Sequence, residues 1–475
     1  MDLYKNSENV GKSGNFEILS TKLMNTKITT PKPATPGKIR VLLCGTYPIG
    51  QSNGYSRVVY HTAKHLGLNG DIELTIYGFQ NFRQTGGVSE RNDLPPGVKL
   101  HDALSTEEPK RNGFGENEIG TFLKNNPQDI VIIFNDMVIT SMLTKTIIEQ
   151  LSIEERRSFK LVSYMDQVYP YQKPQYIQML NQFFDAIIAF TPYWAKIARQ
   201  IGIREDMPMY VYPHGFDYKK YYPVDMSICR TFFSLDQEAF LILNLNRNQP
   251  RKRWDISMIA YAEVVKRYYD LCESAKKNNK PAPRRIQLVI ATAIDGFWDV
   301  REVYEHEIKI RGVPFEFAKP LLYSVANPQQ LSDRDINVLY NACDIGLNTC
   351  EGEGFGLCQI EHAALGHPQV VAKIGGMQDF LNDNHSIVLE AKFRYHIDKN
   401  RDGIGGIGEM AAPIDFADGI WRYYSDKELV KLHGENARKY ILQHYRWDLL
   451  SKHLHSAIQK INVSKKIDTY PVKFV

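Results

Sequence analysis

The sequence predicts an α/β protein with two doubly wound domains that face each other across a cleft. Short apolar runs alternate with amphipathic or polar segments, which is typical of parallel strands covered by helices. This alternation is interrupted near residue 213 and starts again near residue 240. The chain of 475 residues is long enough for two domains of about 200 residues each. These observations together predict two Rossmann-like domains in succession.

The first series of apolar runs predicts the strands of an N-terminal domain at residues 38–222. The series opens with IRVLLCG and continues with further runs; they begin at Ile39, Ile72, Asp129, Lys160, Asp185 and Met209. Residues 1–37 contain many Ser, Thr, Asn, Lys and Pro residues without periodicity, so we expect a flexible tail there.

The second series predicts a C-terminal domain at residues 223–443. Its runs begin at Phe240, Ile286, Leu321, Asp344 and Gln369. We interpret Pro213–Asp225, a segment rich in Pro, Gly and Tyr, as the join between the domains. Within this second domain we expect an exposed loop at residues 272–285 and a mobile glycine-rich loop at residues 399–410. Ligands of doubly wound sheets bind at the carboxyl ends of the strands, so the cleft is the expected site.

Composition and charge restrict the function classes. Hydrophobic residues make up 43% of the chain and charged residues 24%, and the net charge of +4 does not demand a nucleic-acid partner. No apolar run approaches the ~18 residues that cross a bilayer, and the six cysteines form no CxxC pair. We therefore expect reduced thiols and a cytoplasmic location. A peripheral membrane contact through Thr191–Gly202 remains open, although an ordinary amphipathic helix explains that segment better.

The segment CEGEGFGLCQIEHAALG, Cys350–Gly366, predicts an anion-binding turn. A strand precedes it and a helix follows from Gln359 onward, so Gly352–Gly356 form the turn. Glycines let the backbone approach a ligand, and free N–H groups at a helix N-terminus attract phosphate. Glu361 lies about one turn into the helix, where a carboxylate can accept hydrogen bonds from ribose hydroxyls. The pattern favours a nucleoside diphosphate, although isolated glutamates are also compatible with a solvated helix face.

A second segment of the same domain supplies cations. NLNRNQPRKRWD, Asn244–Asp255, follows the first strand and places Arg247 and Lys252 on either side of a proline. Both side chains can reach a diphosphate from the neighbouring strand end. We expect Arg251 and Arg253 to point elsewhere, since a basic loop is commonly just a solvated loop.

These motifs resemble those of retaining GT-B glycosyltransferases of glycosyltransferase family 4, also called glycosyl transferases group 1, over residues 39–460. The family's E-x7-E signature corresponds to Glu353–Glu361, and its Arg/Lys pair corresponds to Arg247 and Lys252, with Asp255 in the usual place. YPHGFD is similar to the family's turn between the domains. HYRWDLLSKHL is similar to its closing helix, which the resemblance places on the first domain at about residues 444–465.

The resemblance implies a fold, a reaction and a set of site residues. It implies a GT-B enzyme that transfers a hexose from a UDP- or GDP-linked sugar to a saccharide, lipid or protein acceptor. Configuration would be retained, and neither a metal nor another cofactor would be needed. The residues that it assigns to catalysis are Arg247, Lys252, Glu353 and Asp166. The residues that it assigns to donor binding are Gly54, Gly354, Phe355, Gly356, Leu357 and Glu361.

The sequence departs from this family at two positions in the first domain. Many relatives carry a histidine before the aspartate, where this chain has Met165–Asp166. The family's first glycine loop contains a Gly-Gly pair, whereas here Gly50 and Gly54 are separated and Tyr55 follows. We expect this tyrosine to narrow the acceptor side.

One motif could suggest a metal site. Asp333-Arg334-Asp335 matches the DxD pattern with which the other glycosyltransferase fold holds a divalent cation. Ser332 and Asp333 nevertheless fit the N-terminal cap of the helix that follows, and we predict a cap rather than a metal site.

Other classes of protein remain open at this point. GT-B folds also occur in sugar phosphorylases and nucleotide-sugar epimerases, because one fold hosts several functions. A glucosyltransferase that modifies nucleic acid is compatible with the sequence pI of about 8.5, although no basic stripe with interleaved aromatics is present. A catalytically silent binding module is the remaining alternative, and the intact cations and glutamates argue against it.

Overall fold

The computed structural model describes residues 37–51, 53–82, 91–107, 112–398, 401 and 403–464. The tail predicted at residues 1–37 lies outside the described residues except for Gly37. None of the helices in these ranges is long and apolar enough to cross a membrane.

The N-terminal half forms a seven-stranded parallel sheet. Its strands are β1 (Ile39–Thr46), β2 (Ile72–Phe79), β3 (Lys99–Asp102), β4 (Ile130–Asn135), β5 (Lys160–Met165), β6 (Ala186–Ala189) and β7 (Met209–Val211). They follow the order β3-β2-β1-β4-β5-β6-β7. The sequence predicted each of them except β3, a half-exposed edge strand with the polar sequence KLHD. The central strands β4 and β5 are buried along their whole length, which explains why most of their side chains are apolar.

The helices of this half connect successive strands. They are α1 (Gly54–Leu66), α2 (Ala103–Thr106), α3 (Ile119–Asn125), α4 (Met137–Gln150), α5 (Ile153–Arg157), α6 (Pro174–Phe183) and α7 (Pro192–Gln200). Asn53 caps α1 in a capping box, and Asp136 caps α4 directly after β4. Such caps fix where the helices begin, so several helix N-termini lie at the carboxyl edge of the sheet.

The C-terminal half forms a six-stranded parallel sheet and a separate hairpin. The sheet strands are β8 (Phe240–Leu245), β9 (Ile286–Ala291), β10 (Leu322–Ser324), β11 (Ile345–Asn348), β12 (Gln369–Ala372) and β13 (Ile387–Leu389), in the order β10-β9-β8-β11-β12-β13. The antiparallel hairpin pairs β14 (Phe393–His396) with β15 (Ile407–Met410).

The glycine-rich segment at residues 399–410, for which we predicted a mobile loop, ends in a strand, so the loop prediction was wrong for residues 407–410. Residues 407–410 form β15, and the Ile407 N–H donates to the carbonyl of Pro170 in the N-terminal domain at 2.9 Å. The Lys173 N–H donates in turn to the carbonyl of Ile404 at 3.0 Å. The hairpin connection thus contacts the opposite domain. Residues 399, 400 and 402 lie outside the described residues.

The remaining helices cover the second sheet and close the chain. They are α8 (Met226–Phe232), α9 (Trp254–Lys277), α10 (Val300–Ile310), α11 (Phe315–Ala318), α12 (Asp333–Ala342), α13 (Leu357–Ala364), α14 (Pro413–Ser425), α15 (Lys427–His444) and α16 (Trp447–Val463). Short 3₁₀ turns occupy Pro250–Lys252, Lys319–Leu321, Pro328–Gln330 and Gly375–Asp379.

The loop predicted at residues 272–285 begins later than expected. Residues 272–277 are the last part of α9, where Cys272 and Ala275 are buried against the domain while charged side chains face solvent. The composition of Glu, Ala and Lys favours helix up to Asn278, which ends it.

The last helix, α16, packs on the N-terminal domain. It lies against α1, and His455 contacts the carboxylate of Asp71 at 2.8 Å. The join between the domains pairs with the segment before α16, because the Phe216 N–H donates to the carbonyl of Tyr445 at 2.6 Å. A Cβ on Gly215 would lie 2.7 Å from the Trp447 nitrogen, so only glycine allows this close approach.

Candidate active site

The carboxyl ends of both sheets face one cavity of about 850 Å³ between the domains. Each wall is made of segments that directly follow strands, as expected for doubly wound sheets. The N-terminal domain contributes residues 53–58 before and within α1 and Asp166 after β5, while the C-terminal domain contributes residues 245–252 after β8 and 353–359 after β11. The cleft predicted from the sequence is therefore present.

The structure brings most of the predicted site residues together in this cavity. Those that line it are Gly54, Asp166, Arg247, Lys252, Glu353, Gly354, Phe355, Gly356 and Leu357. Glu361 is not part of the lining; Arg57 and Tyr340, its hydrogen-bonding partners, are.

A cluster of cations meets Glu353 at the start of the glycine turn. The Lys252 ammonium is hydrogen-bonded to Glu353 Oε2, and Arg251 Nη1 approaches the same oxygen at 3.3 Å. Arg251 also donates to the carbonyl of Gly352 at 3.0 Å. The expectation that Arg251 points elsewhere was therefore wrong, since the 3₁₀ turn Pro250–Lys252 directs both of its basic side chains to the cavity.

Arg253 turns away from the cavity, as predicted. Its backbone lies in the left-handed region with φ of 48°, which reverses the chain before α9. Its guanidinium pairs instead with Asp255 at 2.6 Å and with Glu351 at 3.2 Å. Glu351 is buried and also binds Arg401 and Tyr395, so it anchors the hairpin connection rather than a ligand.

The charges around Glu353 fix its ionisation. Burial alone would raise the pKa of this carboxyl group, but the charges and hydrogen bonds of Lys252 and Arg251 outweigh it and lower the pKa to about 2. Glu353 is therefore an anion at any physiological pH, held between two cations. Arg247, by contrast, has an exposed side chain and no ion-pair partner among the described residues, so its charge is free to meet a ligand.

The glycine turn is held by close backbone contacts that leave amide groups free. Cβ atoms on Gly375 and Gly376 would lie 1.9 and 2.2 Å from the carbonyl oxygens of Glu353 and Gly354, so these two positions require glycine. Gly356 caps α13 with φ of 98°. The amides of residues 355–357 donate no hydrogen bond within the described residues, and they stand at the positive end of the helix. This arrangement is suited to an anion.

Asp166 faces this turn from the opposite domain. A Cβ on Gly354 would lie 2.8 Å from Asp166 Oδ1, and the Tyr55 hydroxyl donates to Oδ2. Burial raises the pKa of Asp166 to about 6, although the Tyr55 hydrogen bond opposes the shift. The tyrosine that departs from the family pattern is thus the partner of the aspartate, a relation that sequence spacing could not show.

Glu361 is held by a side chain from the N-terminal domain. Arg57 Nη1 lies 2.6 and 2.8 Å from its two carboxylate oxygens, and the Tyr340 hydroxyl donates to Oε2 at 2.9 Å. Burial raises the pKa of Glu361, and Arg57 opposes this shift. Arg57 was missed by the sequence analysis; its position three residues after Gly54, on the first turn of α1, was the available signal.

The DxD pattern forms a helix cap, as predicted. The Ser332 hydroxyl accepts a hydrogen bond from the Asp335 N–H at 3.1 Å, and Asp335 accepts one from the Ser332 N–H at 3.0 Å, which is a capping box. Asp333 instead faces Arg57 at 3.4 Å and Lys220 at 3.6 Å. In Thr191–Gly202, Trp194 is fully buried and donates to the carbonyl of Gly354 at 2.6 Å, which agrees with the favoured interpretation of an ordinary amphipathic helix.

Comparisons with known proteins give partial sequence matches. No family profile matches the chain. It is 29% identical over 182 residues to D-inositol 3-phosphate glycosyltransferase 2 of Catenulispora acidiphila, covering 37% of each chain. It is 27% identical over 205 residues to D-inositol 3-phosphate glycosyltransferase of Segniliparus rotundus, covering 43% of this chain and 40% of that one. The match thus spans about two fifths of the length of these curated relatives.

Solved structures match over most of the chain. Anabaena HepE, in complex with UDP and glucose, superposes with a TM-score of 0.60 at 14% identity, over 89% of this chain and 100% of that one. Sucrose-phosphate synthase from Thermosynechococcus elongatus superposes with a TM-score of 0.63 at 14% identity, over 89% and 99%. At such identities the likeness shows the fold. The predicted fold class, two facing Rossmann-like domains of the GT-B type, is confirmed.

Proposed function

We propose that the protein is a glycosyltransferase that transfers a hexose from a nucleoside diphosphate sugar, UDP- or GDP-linked, to a saccharide, lipid or protein acceptor. The observation that carries the proposal is the convergence of Arg247, Arg251, Lys252 and the free amides of residues 355–357 on one cavity. Its volume of about 850 Å³ lies within the range of about 300–1,000 Å³ typical of small-molecule sites. The names of the sequence relatives and the UDP-glucose complex of HepE support the same substrate class.

The cations explain how the leaving group would be stabilised. When the bond between sugar and diphosphate breaks, negative charge accumulates on the phosphate. Fixed cations and N–H dipoles aimed at that charge lower the barrier without reorganising during the reaction. Arg247 and Lys252, together with the amides of Phe355 and Gly356, supply them. The proposed enzyme accordingly needs neither a resident metal ion nor another cofactor.

We propose retention of configuration through attack on the face from which the nucleotide leaves. The acceptor oxygen forms its bond to the anomeric carbon while the bond from that carbon to the phosphate oxygen breaks. The departing phosphate oxygen takes the proton of the acceptor hydroxyl. Glu353 is assigned to hydroxyls of the donor sugar, because its anion is fixed at the turn and lines the cavity. No protein nucleophile is required.

The ribose site is proposed at Glu361 together with its two partners. Since Arg57 and Tyr340 already bond to the carboxylate and line the cavity themselves, they stand between Glu361 and the ligand space. A ribose hydroxyl would donate a hydrogen bond to a remaining lone pair of the Glu361 carboxylate or bond to the Tyr340 hydroxyl. Asp166 is assigned to the acceptor side, opposite the glycine turn.

Thermal unfolding with nucleotides tests this proposal directly. UDP, GDP, UDP-glucose and GDP-mannose are each added in excess. At least one nucleotide and its nucleotide sugar are expected to raise Tm, because a ligand that binds only the folded state stabilises it. The Lys252→Ala variant should lose most of this rise, whereas Lys276→Ala, an exposed lysine at the end of α9, should keep it. If none of the four compounds raises Tm at millimolar concentration, the protein does not use a nucleotide sugar of these classes. If a nucleotide sugar raises Tm, an assay for transfer of its radiolabelled sugar distinguishes a catalyst from a binding module.

A further inference from the structure

Among the buried histidines of the described residues, His214 has neither a hydrogen bond nor an ion pair, whereas His61 has an ion-pair contact with Asp217 at 3.7 Å and the other three are hydrogen-bonded. His214 is 4% exposed, and neither Nδ1 nor Nε2 has a hydrogen-bond partner. His362 contacts the carbonyl of Tyr340 at 3.1 Å, His385 the carbonyl of Phe380 at 2.8 Å, and His433 the hydroxyl of Tyr423 at 2.8 Å. Buried polar atoms are nearly always hydrogen-bonded, so an unpaired imidazole calls for an explanation.

The imidazole of His214 lies on the wall of the proposed donor cavity. Its ring centroid lies 4.3 Å from that of Phe190, in the N-terminal domain, and 4.9 Å from that of Phe355, in the glycine turn. Asp166 and Glu353 line the same cavity. The ring is therefore placed where the sugar part of a nucleotide sugar would lie under the proposed function, close to the turn that receives the diphosphate.

The backbone around His214 is fixed by the join between the domains. The next residue, Gly215, touches Trp447 at the start of α16, and the Phe216 N–H donates to the Tyr445 carbonyl. The imidazole is held between rings, including that of Trp447 with a centroid distance of 6.2 Å. A phenylalanine would fill this aromatic surrounding without burying two polar atoms. Packing alone therefore does not account for histidine at this position.

The chemistry of the ring matches a sugar. Burial lowers the pKa of His214 to about 3, so the imidazole is neutral at physiological pH. A neutral imidazole has one N–H donor and one acceptor nitrogen, and a hydroxyl group can meet either. A phosphate, which has only acceptors at its charged oxygens, would use only the donor nitrogen.

We propose that His214 binds the hexose of the donor, with a ring nitrogen hydrogen-bonded to a sugar hydroxyl. This inference rests on the proposed function, because it assumes that a nucleotide sugar occupies the cavity. It adds a residue that recognises the sugar and leaves the nucleotide untouched. The affinity of the protein for UDP-glucose or GDP-mannose should therefore depend on His214, and the affinity for UDP or GDP should not.

The test compares wild type with His214→Phe by calorimetric titration with UDP, GDP, UDP-glucose and GDP-mannose. His214→Phe is expected to weaken the preferred nucleotide sugar roughly 10-fold, the scale of one or two lost hydrogen bonds, and to leave the free nucleotide within about twofold. Tm should stay the same or rise, because no hydrogen bond of the free protein is lost. The control His433→Phe, which removes the contact to Tyr423, should lower Tm without changing the ratio of the two affinities.

Two outcomes overturn the proposal. Either His214→Phe binds the nucleotide sugar like wild type, or it loses nucleotide and nucleotide sugar equally and melts early as His433→Phe does. Wild-type protein that binds none of the four compounds overturns the proposed function first. Should His214→Phe fail to fold, the same titrations are made with His214→Asn, and the imidazole of wild type is followed by ¹⁵N NMR. The His214 signals must then shift with UDP-glucose or GDP-mannose and not with the free nucleotide.

Discussion

Replacing Glu353 by glutamine should destabilise the protein in a pH-dependent way. Glu353 is held between Lys252 and Arg251, which lower its pKa from 4.5 to about 2 against the effect of burial. At about 1.4 kcal/mol per pKa unit, this difference corresponds to about 3 kcal/mol of stability at neutral pH. Because the folded pKa lies below the unfolded value, that contribution is fully present above pH 4.5 and is lost as the pH falls towards 2.

Urea unfolding of wild type and Glu353→Gln, followed by tryptophan fluorescence, measures this contribution. At pH 7 the variant should unfold with a free energy lower by about 3 kcal/mol. Between pH 4.5 and 3 the difference should shrink. Glu390→Gln is the matched control, since Glu390 forms an exposed pair with Lys373 at 3.0 Å and such pairs contribute about 0–1 kcal/mol. A difference between wild type and Glu353→Gln that stays constant from pH 7 to 3 would refute the assignment of the charge cluster.

Three further changes test the rest of the site. Asp166→Asn should become more stable relative to wild type as the pH rises from 4 to 7. The folded pKa of Asp166, about 6, lies above the ordinary value of 3.8, so wild type loses folding free energy as the carboxyl group ionises, whereas the asparagine variant does not. Equal differences in the free energy of urea unfolding at pH 4 and pH 7 would contradict this. Arg247→Ala should leave Tm unchanged and lower kcat about 10²- to 10³-fold with little effect on KM, because the Arg247 guanidinium meets the leaving phosphate in the transition state. A rise in KM alone would show instead that Arg247 binds substrate and transition state equally. Transfer should continue in millimolar EDTA, and loss of activity that Mg²⁺ or Mn²⁺ restores would show that the cations do not replace a metal.

Sequence patterns identified the strands that carry apolar runs, including the partly exposed β7 and β10, and missed β3, β13, β14 and β15. The apolar run IVIIF of β4 is an example, because a strand of a parallel sheet that is covered on both faces buries every residue. The edge strand β3 and the hairpin strands β14 and β15 expose polar residues and carry no such run. Residues 272–277 were assigned to an exposed loop in the prediction, although Glu, Ala and Lys, which occur there, are strong helix formers.

Within the C-terminal domain, spacing along the chain identified residues that line the cavity, whereas the local direction of the backbone could not be predicted. Arg251, Lys252 and Arg253 are consecutive, and only the 3₁₀ turn and the left-handed φ of Arg253 decide that two of them face the cavity and the third does not. A basic run in a sequence contains no sign of that reversal. The reversal at Arg253 depends on a backbone conformation that non-glycine residues seldom adopt.

Contacts that cross the cleft could not be predicted from the sequence for a different reason. Arg57 reaches Glu361, and Trp194 donates to the carbonyl of Gly354, so each joins the N-terminal domain to the segment that forms the proposed donor site. Neither is near its partner in sequence, and predicting them requires the relative placement of the two domains. The Arg57–Glu361 contact has an energetic consequence. Removing one member of a buried ion pair leaves an uncompensated charge that costs about 3–5 kcal/mol, so the geometry of Glu361 depends on a residue that the opposite domain supplies. The proposed donor site is therefore shaped by both domains together, because the carboxylate of Glu361 is held by Arg57 of the N-terminal domain.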